Sequence, residues 1–356
     1  MADSKQMPLS VLDLAIVADG SDPSEALRNS VELARHVERL GYRRHWVAEH
    51  HNIPGIASAA PAVLAAELAA STSEIRVGSG GVMLPNHPSL VVAEQFGTLE
   101  GLHPGRIDLG IGRAPGTDPM TAAALRRSAD PLSVEEFPRQ LTELLAFFDG
   151  SFSEDHPYAQ ITAVPGRGSR PEVWLLGSSD YSAQAAGMLG LPFSFAHHFS
   201  PRNTVPAMQI YRSSFRPSQW LSEPYGMVAL AAICAEDDER ARWLAGPARL
   251  SFARLRAGRP TRFPTPEEAE AHEFSAQEEA TVKTVSGSAV IGGPEKVREG
   301  LGELVERSGA DELMITTMVH AQADRLRSYE LIAEAMGLES RGPAVEAGDI
   351  GALTNK

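Results

Sequence analysis

Residues 47–55, VAEHHNIPG, place a carboxylate and two histidines directly after a short apolar run. Glu49, His50 and His51 could act as metal ligands, as acid–base catalysts, or as ordinary polar residues of a loop. Adjacent histidines on an extended segment point to opposite sides, so His50 and His51 would rarely bind one ion. A zinc site also needs further ligands near other strands, and no other Asp or Glu directly follows a predicted strand. We therefore predict no metal site.

A second histidine pair, His197-His198, also falls at the end of an apolar run, PFSFAH. A single loop histidine is usually just hydrogen-bonded to backbone, but two pairs at strand ends make that reading less favourable for both. Imidazole titrates near neutrality, which suits proton transfer. We place His51, His197 and His198 in a substrate pocket.

The stretch GSSDYSAQAAG lies between an apolar run and a helical pattern. Gly177, Ser178, Ser179 and Ser182 would bring backbone N–H groups and hydroxyls to a helix N-terminus, where the helix dipole favours a phosphate. Ordinary N-capping by serine is the alternative, and the stretch alone does not decide between them.

Arg113 stands in GIGRAPG, and glycines beside it leave room for a ligand. It would supply a fixed positive charge to a phosphate; a salt bridge to a surface carboxylate is the alternative. Gly80-Gly81, in VGSGGVMLPNHP, allows close approach of a flat ligand or, alternatively, forms only a tight turn.

The elements that would position these residues alternate between β-rich runs and helical patterns. Parallel strands joined by helical crossovers, repeated eight times over slightly more than 300 residues, predict an α/β fold, a (β/α)₈ TIM barrel. An open doubly wound sheet is disfavoured, because no GxGxxG follows the first strand. The eight runs are LSVLDLAIV, HWVA, IRVGSG, RIDLGIG, EVWLLG, PFSFAH, GMVALAAIC and ELMITTM. In such a barrel, reactive groups collect at the C-terminal ends of the strands.

Two longer stretches interrupt the alternation, residues 114–170 after the fourth strand and residues 245–292 after the seventh. Long insertions in a barrel usually form a pocket wall or lid, and we predict that 245–292 is a lid. Residues 1–337 are predicted to form a single domain. Residues 338–356 are predicted to be a flexible tail.

Composition limits the partners of this chain. With 356 residues, 43% hydrophobic and 22% charged, it is typical of a globular protein with a large core. A net charge of −14, without a basic stripe, argues against nucleic acid and anionic membranes. Cys234 is the single cysteine, which agrees with a reducing cytoplasm.

Taken together, three stretches resemble the bacterial luciferase-like monooxygenase family, specifically its FMN-using branch. They are AEHHNIPG, the segment VGSGGVMLPNHPSLVVAEQFGTLEGLHPGRIDLGIGRAPGTD, and the segment WLLGSSDYSAQAAGMLGLPFSFAHHFSP. With the alternation of strands and helices, the likeness covers residues from about 9 to 337. The family fold is a (β/α)₈ barrel with insertions, usually dimeric, so a homodimer is implied.

The resemblance also implies roles for individual residues. The position of Gly80-Gly81 holds a cis peptide facing the flavin, and Arg113, Ser179 and Ser182 match positions near the FMN phosphate. His50 matches an acid–base histidine beside the flavin, and Glu49 matches a carboxylate that shapes the site.

This sequence departs from luciferase itself at two positions. Gly112 stands where luciferase has a reactive cysteine, which puts light emission in doubt, and Ser178 replaces a carboxylate beside the phosphate.

The implied function is that of a monooxygenase using reduced FMN, supplied by a separate flavin reductase, and O₂ through a C4a-(hydro)peroxyflavin. Its substrate would be a small organic molecule. Ala- and Arg-rich usage suggests a GC-rich bacterial genome, and hence a secondary metabolite such as a polyketide. Two alternatives stay open, a deazaflavin (F420)-dependent dehydrogenase on the same fold and a non-catalytic flavin-binding protein.

Overall fold

Parallel strands that alternate with helices form the frame of the molecule. The computed structural model describes residues 6–114, 116–126, 136–286 and 288–341. The strands in these ranges are β1 (Leu9–Asp13), β2 (Arg44–Val47), β3 (Arg76–Met83), β4 (Ile107–Gly112), β5 (Glu172–Gly177), β6 (Phe193–Ala196), β7 (Gly226–Cys234), β8 (Val290–Gly292) and β9 (Glu312–Thr316).

The strands β1 to β7 pair in sequence, and β9 closes the ring between β7 and β1, every pair being parallel. This closed eight-stranded ring confirms the predicted (β/α)₈ barrel. The eight predicted strands are all present, the eighth of them being β9. The short β8 was not predicted; it pairs with the last residues of β7 outside the ring.

Helices surround the ring and connect its strands. In the described ranges they are α1 (Pro23–Arg39), α2 (Pro61–Ala70), α3 (Ser89–Leu102), α4 (Pro119–Arg126), α5 (Phe137–Asp149), α6 (Asp180–Leu189), α7 (Thr204–Ser214), α8 (Asp238–Arg256), α9 (Pro266–Ala271), α10 (Ala276–Ser286), α11 (Pro294–Ser308) and α12 (Gln322–Met336). Local chemistry sets their ends: Asp22 caps α1 by accepting from the Glu25 N–H at 2.9 Å, and Pro23 occupies the first turn.

The first strand is shorter than its apolar run suggests. It ends at Asp13, whose Oδ1 accepts a hydrogen bond from the backbone N–H of Ala15 at 2.8 Å. Ala15 itself has a left-handed backbone, with φ of 50°. The carboxylate therefore holds a bend that turns the rest of the run, from Leu14 onward, out of the sheet and over the barrel end.

The segment after α8 returns to the barrel. The helix α8 continues through Pro247 to Arg256, so the predicted insertion 245–292 begins inside a helix. Beyond it, Phe263 is buried and forms two backbone bonds with the loop after β1: its N–H donates to Val17 at 2.9 Å, and its carbonyl accepts from Asp19 at 2.8 Å.

The barrel interior is charged at its N-terminal end and aromatic above that. Arg44 is fully buried and donates to Asp108 and Glu312, each at 2.8 Å. Above it the indole rings of Trp46 and Trp174 meet edge to face at 5.3 Å. The Trp46 Nε1–H donates to Asp108 at 2.8 Å, which ties the aromatic layer to the ion network.

Candidate active site

A largely apolar cavity of about 340 Å³ opens at the C-terminal ends of the strands, where the barrel predicts a site. Most of the predicted site residues line it. They are His50, Gly80, Gly81, Arg113, Gly177, Ser178, Ser179, Ser182 and His198.

The N-terminus of α6 faces one end of this cavity. Ser179 is the N-cap residue with an extended backbone, yet its side chain makes no capping bond. The Ser182 hydroxyl donates to the Ser179 carbonyl at 2.8 Å, and the two hydroxyl oxygens lie 3.4 Å apart. Ordinary side-chain capping by Ser179 is therefore not its role here, and the first N–H groups of α6 stay available to an anion.

Arg113 lies beside this helix end. Its guanidinium stacks over the Tyr181 ring at 4.8 Å from the ring centre. Among the described residues, no carboxylate lies within salt-bridge distance of Arg113. The alternative of a surface salt bridge is thus absent in the described ranges, and a cation without a counter-ion faces the cavity at the end where α6 begins.

Gly80 and Gly81 form part of the cavity wall inside β3, next to β4, so they do not form a tight turn. Their peptide bond is cis, as the resemblance implied, and the β3–β4 register shifts just after it. A Cβ on Gly80 would lie 2.6 Å from Leu12 Cδ1, and one on Gly81 would lie 2.7 Å from the Gly110 carbonyl oxygen. A side chain at Gly81 would therefore clash with backbone, and one at Gly80 would force Leu12 to move, so a ligand meets bare backbone here.

His50 reaches the cavity with its tautomer fixed. Its Nδ1 lies 3.2 Å from the Gly116 carbonyl oxygen, which can only accept, so Nδ1 carries the hydrogen. Burial lowers the pKa of His50, against the opposing effects of that hydrogen bond and of Glu49. At neutral pH its Nε2 is therefore an unprotonated acceptor.

The tautomer of His198 is fixed in the same way as that of His50. Its Nδ1 lies 3.1 Å from the Ala229 carbonyl oxygen. Burial lowers the pKa of His198 to about 4, and His197 and His50 add to that effect. The cavity thus holds two neutral imidazoles.

Glu49 lies behind the cavity wall and does not line it. Its buried carboxylate accepts from His87 Nε2 at 2.9 Å, from His51 Nε2 at 3.0 Å, and from the Met83 N–H at 2.9 Å. Burial by itself would raise the pKa of Glu49, but these hydrogen bonds, that of His87 first, lower it. The carboxylate is charged and fully occupied, so it positions its neighbours and does not meet a ligand directly.

His51 and His197 were placed in the substrate pocket, but neither lines the cavity. His51 turns back to Glu49, and His197 Nδ1 lies 2.7 Å from the Thr204 hydroxyl. Neighbouring residues of an extended segment point to opposite sides, so one member of each histidine pair faces the cavity and the other faces the protein.

The first insertion supplies part of the cavity wall. Ala114 and Phe137, from residues 114–170, line it, whereas no described residue of 245–292 does. The predicted lid is instead held to the loop after β1 by Phe263. Part of the first insertion, residues 115 and 127–135, lies outside the described ranges.

A family model described as luciferase-like monooxygenase matches residues 7–312. The chain belongs to the luciferase-like monooxygenase family. Solved structures on this fold are named for FMN or for the deazaflavin F420.

Several relatives are similar to this chain over nearly their whole length. A luciferase-like monooxygenase of Escherichia coli K12 is 45% identical, covering 92% of this chain and 96% of its own. The N-acetyl-S-alkylcysteine monooxygenase of Bacillus subtilis is 34% identical, covering 92% and 98%. The crystal structure of apo-MsnO8 is 39% identical with a TM-score of 0.84, covering 94% and 100%.

Two more distant structures share the fold alone. The oxygenating constituent of 3,6-diketocamphane monooxygenase, in complex with FMN, is 18% identical with a TM-score of 0.67, covering 92% of this chain and 97% of its own. An F420-dependent secondary alcohol dehydrogenase is 14% identical with a TM-score of 0.67, covering 93% and 99%.

The cavity residues that the sequence did not single out include Tyr181, Met314 and Thr316. Tyr181 lies within GSSDYS, of which the serines were predicted to face a ligand. Met314 and Thr316 line the cavity from β9 and are two residues apart, as one face of a strand requires. The alternation in ELMITTM is the signal that could have identified them.

Within the described ranges, neither a metal cluster nor a membrane-spanning helix is present. No group of three or more His, Cys, Asp or Glu there could hold a metal ion. No described helix is both long and apolar enough to span a bilayer.

Proposed function

We propose that this protein is the oxygenase component of a two-component system, which takes reduced FMN from a separate flavin reductase and oxygenates a small organic substrate with O₂. The observation that carries the proposal is the anion-binding end of the cavity. There Arg113, without a carboxylate among the described residues, stands beside the open N-terminus of α6.

The residues present fit FMN. Arg113, Ser179, Ser182 and the first N–H groups of α6 would hold its phosphate, and the bare backbone of Gly80-Gly81 would accept its flat ring. Bound reduced FMN would supply the electrons that activate O₂.

The other cavity residues would orient the reactants, exclude water and manage a proton. Burial in apolar surroundings keeps His50 neutral, so its Nε2 can receive a proton from a reacting group and return it later. Glu49 keeps the segment that carries His50 in place through its bond to the Met83 N–H.

The F420 alternative is less well supported. A longer anionic cofactor tail would need several basic groups, and Arg113 is the one guanidinium among the described residues that line the cavity, with no lysine there. A single cation beside a helix N-terminus suits one terminal phosphate better.

Binding measurements on a charge variant test the phosphate site. Arg113→Met should weaken FMN binding about 10- to 100-fold, because a charge-assisted hydrogen bond contributes about 1.5–3 kcal/mol. Riboflavin, which lacks the phosphate, should bind wild type and variant within about threefold of each other. Arg298→Met, at an exposed helix position, is the matched control and should change neither affinity. Equal losses for FMN and riboflavin would overturn the phosphate assignment.

Turnover measurements separate the three function classes. With a purified flavin reductase, NADH, FMN and ¹⁸O₂, one ¹⁸O atom should appear in a product from a panel that includes thioethers, ketones, alcohols and phenols. Thioethers belong in the panel because a 34% identical relative is named for one. Anaerobic, alcohol-dependent reduction of F420 would favour the dehydrogenase, and FMN binding without any labelled product would favour the non-catalytic binder.

We also infer a homodimer that uses α2 and α3. The helix α2, PAVLAAELAA, is apolar on nearly all sides, and its Val63 is 71% exposed. On α3, Leu102 is 67% exposed. A second copy of the same surface would bury both side chains.

The dependence on reductase and the single, buried Cys234 favour a cytoplasmic location.

A further inference from the structure

The cavity has a second side, which faces away from the anion-binding end. In the ring order β1 to β7 and then β9, the strands β9 and β1 lie opposite β4 and β5. Arg113 and α6 follow β4 and β5, whereas Leu14, Met314 and Met318 line the cavity from the β1 and β9 side. A cofactor held by its phosphate at the first side leaves the second to a substrate.

One polar atom on this apolar side has no partner. Thr316, at the end of β9, is only 6% exposed, and its Oγ1 makes no hydrogen bond among the described residues. A buried hydroxyl without a partner costs about 1–3 kcal/mol, so such groups in folded proteins usually have a reason. Because Thr316 lines the cavity, a ligand can supply the missing bond.

A second polar atom lies on the neighbouring part of the wall, where the loop after β6 meets β7, the strand beside β9. His198 Nδ1 donates to the carbonyl of Ala229 on β7, and Thr316 lies in register with Ala231, two residues further along β7. With Nδ1 engaged and the pKa lowered to about 4, His198 Nε2 is an acceptor and cannot donate at neutral pH. Here the cavity therefore offers one acceptor and one hydroxyl.

We propose that this side of the cavity binds the hydroxyl group of a neutral, largely apolar alcohol or phenol, which donates to His198 Nε2 and accepts from the Thr316 hydroxyl. The inference rests on the proposed function, since it names the substrate class of the same site. A carbonyl compound would satisfy Thr316 but leave Nε2 without a donor. A carboxylate would find no cation on this side among the described lining residues, because Arg113 lies across the barrel.

The test compares three ligands that differ in one group: 4-ethylphenol, 4-ethylanisole and 4-ethylbenzoate. Their affinities for the full chain would be measured by calorimetry, with and without FMN. We expect wild type to bind the phenol at least tenfold more tightly than the methyl ether, because the ether leaves an imidazole acceptor unpaired. The benzoate should bind more weakly than the phenol.

Two substitutions at one position complete the test. Thr316→Val is nearly isosteric and removes the hydroxyl, so the preference for the phenol should fall to below about threefold. Thr316→Ser keeps a hydroxyl and should retain the preference. Equal affinities of wild type for the phenol and the ether, or a preference that is unchanged in Thr316→Val, would overturn the proposal.

The FMN titration of the same samples separates this proposal from the proposed function. Tight FMN binding without discrimination between phenol and ether would reject the substrate class alone. Discrimination between the ligands without FMN binding would support the hydroxyl site and reject the cofactor.

Discussion

Two imidazoles face the cavity, and a backbone carbonyl fixes the tautomer of each. His50 and His198 both carry their hydrogen on Nδ1, which leaves each Nε2 as an acceptor. Because burial lowers both pKa values, a proton released in the cavity would meet two bases.

Substitution of His50 tests its catalytic role. His50→Asn should lower turnover about 100-fold or more, the usual contribution of a general base, and FMN affinity should stay within about twofold. The measurements are the product formed per NADH consumed and the FMN dissociation constant. If the variant no longer binds FMN, His50 is a structural residue of the cofactor site.

The pH dependence follows from the direction of the same shift. The ordinary histidine pKa is 6.5, and that of His50 is lowered, so the neutral base persists below pH 6.5. Turnover in wild type should therefore stay level from pH 8 down past 6.5 and decline only as the pH falls through the lowered pKa. A decline centred at or above 6.5 would show that His50 is not the titrating base.

Glu49 should matter for stability at acidic to neutral pH. The pKa of Glu49 is lowered from the ordinary 4.5. The stability that its charged hydrogen bonds contribute is therefore complete above pH 4.5 and is lost as the pH falls through the lowered pKa. Glu49→Gln should reduce the free energy of unfolding by about 1–3 kcal/mol at pH 7, measured by urea denaturation. The exposed Glu303→Gln is the control and should change it by less than about 0.5 kcal/mol. Equal stability of Glu49→Gln and wild type would contradict the network.

At the scale of elements, α2 and α3 carry the assembly hypothesis. Val63→Asp places a charge on the most exposed apolar residue of α2 and should convert a dimer into a monomer, because an unpaired charge cannot be buried between two copies. Sedimentation velocity gives the mass of each species. Leu255→Asp, on α8 and away from this surface, should leave the dimer intact. A monomeric wild type, or a dimeric Val63→Asp, would rule out this interface.

The sequence predicts the elements better than the directions of their side chains. Apolar runs located the eight ring strands because a parallel strand buried on both faces shows as a continuous run. Thr316 was not predicted because two adjacent threonines stand in ELMITTM, and the run by itself does not show which of them faces the cavity.

The sequence predicts the directions of loop side chains less well than the strands. Glu49 turns away from the cavity because it accepts hydrogen bonds from His87 and Met83, which are distant in sequence. His51 follows it through its own bond to Glu49. The continuation of α8 through Pro247 was also not predicted, because proline usually ends a helix.

At the scale of the whole molecule, Arg44 links strands across the barrel. It joins Asp108 of β4 to Glu312 of β9, and all three side chains are fully buried. Arg44→Met would remove the buried cation that these two carboxylates share, leaving Asp108 with Arg76 and Glu312 with the half-exposed Arg43, and should cost about 3–5 kcal/mol of folding free energy. Thermal unfolding measures the loss, and the double variant with Glu312→Gln should recover part of it. A stable single variant would show that the network contributes little.

Trp46 belongs both to the ion network and to the cavity, since its indole N–H donates to Asp108 and its ring lines the cavity. An engineer who wishes to change the substrate range should therefore treat the cavity residues unequally. Libraries at Leu14, Phe199 and Met318 would alter the shape of the cavity without breaking a bond to the ion network. Substitutions of Trp46 would change the cavity but also break its bond to the ion network. Most of these variants should therefore fail to fold before they can be screened for activity.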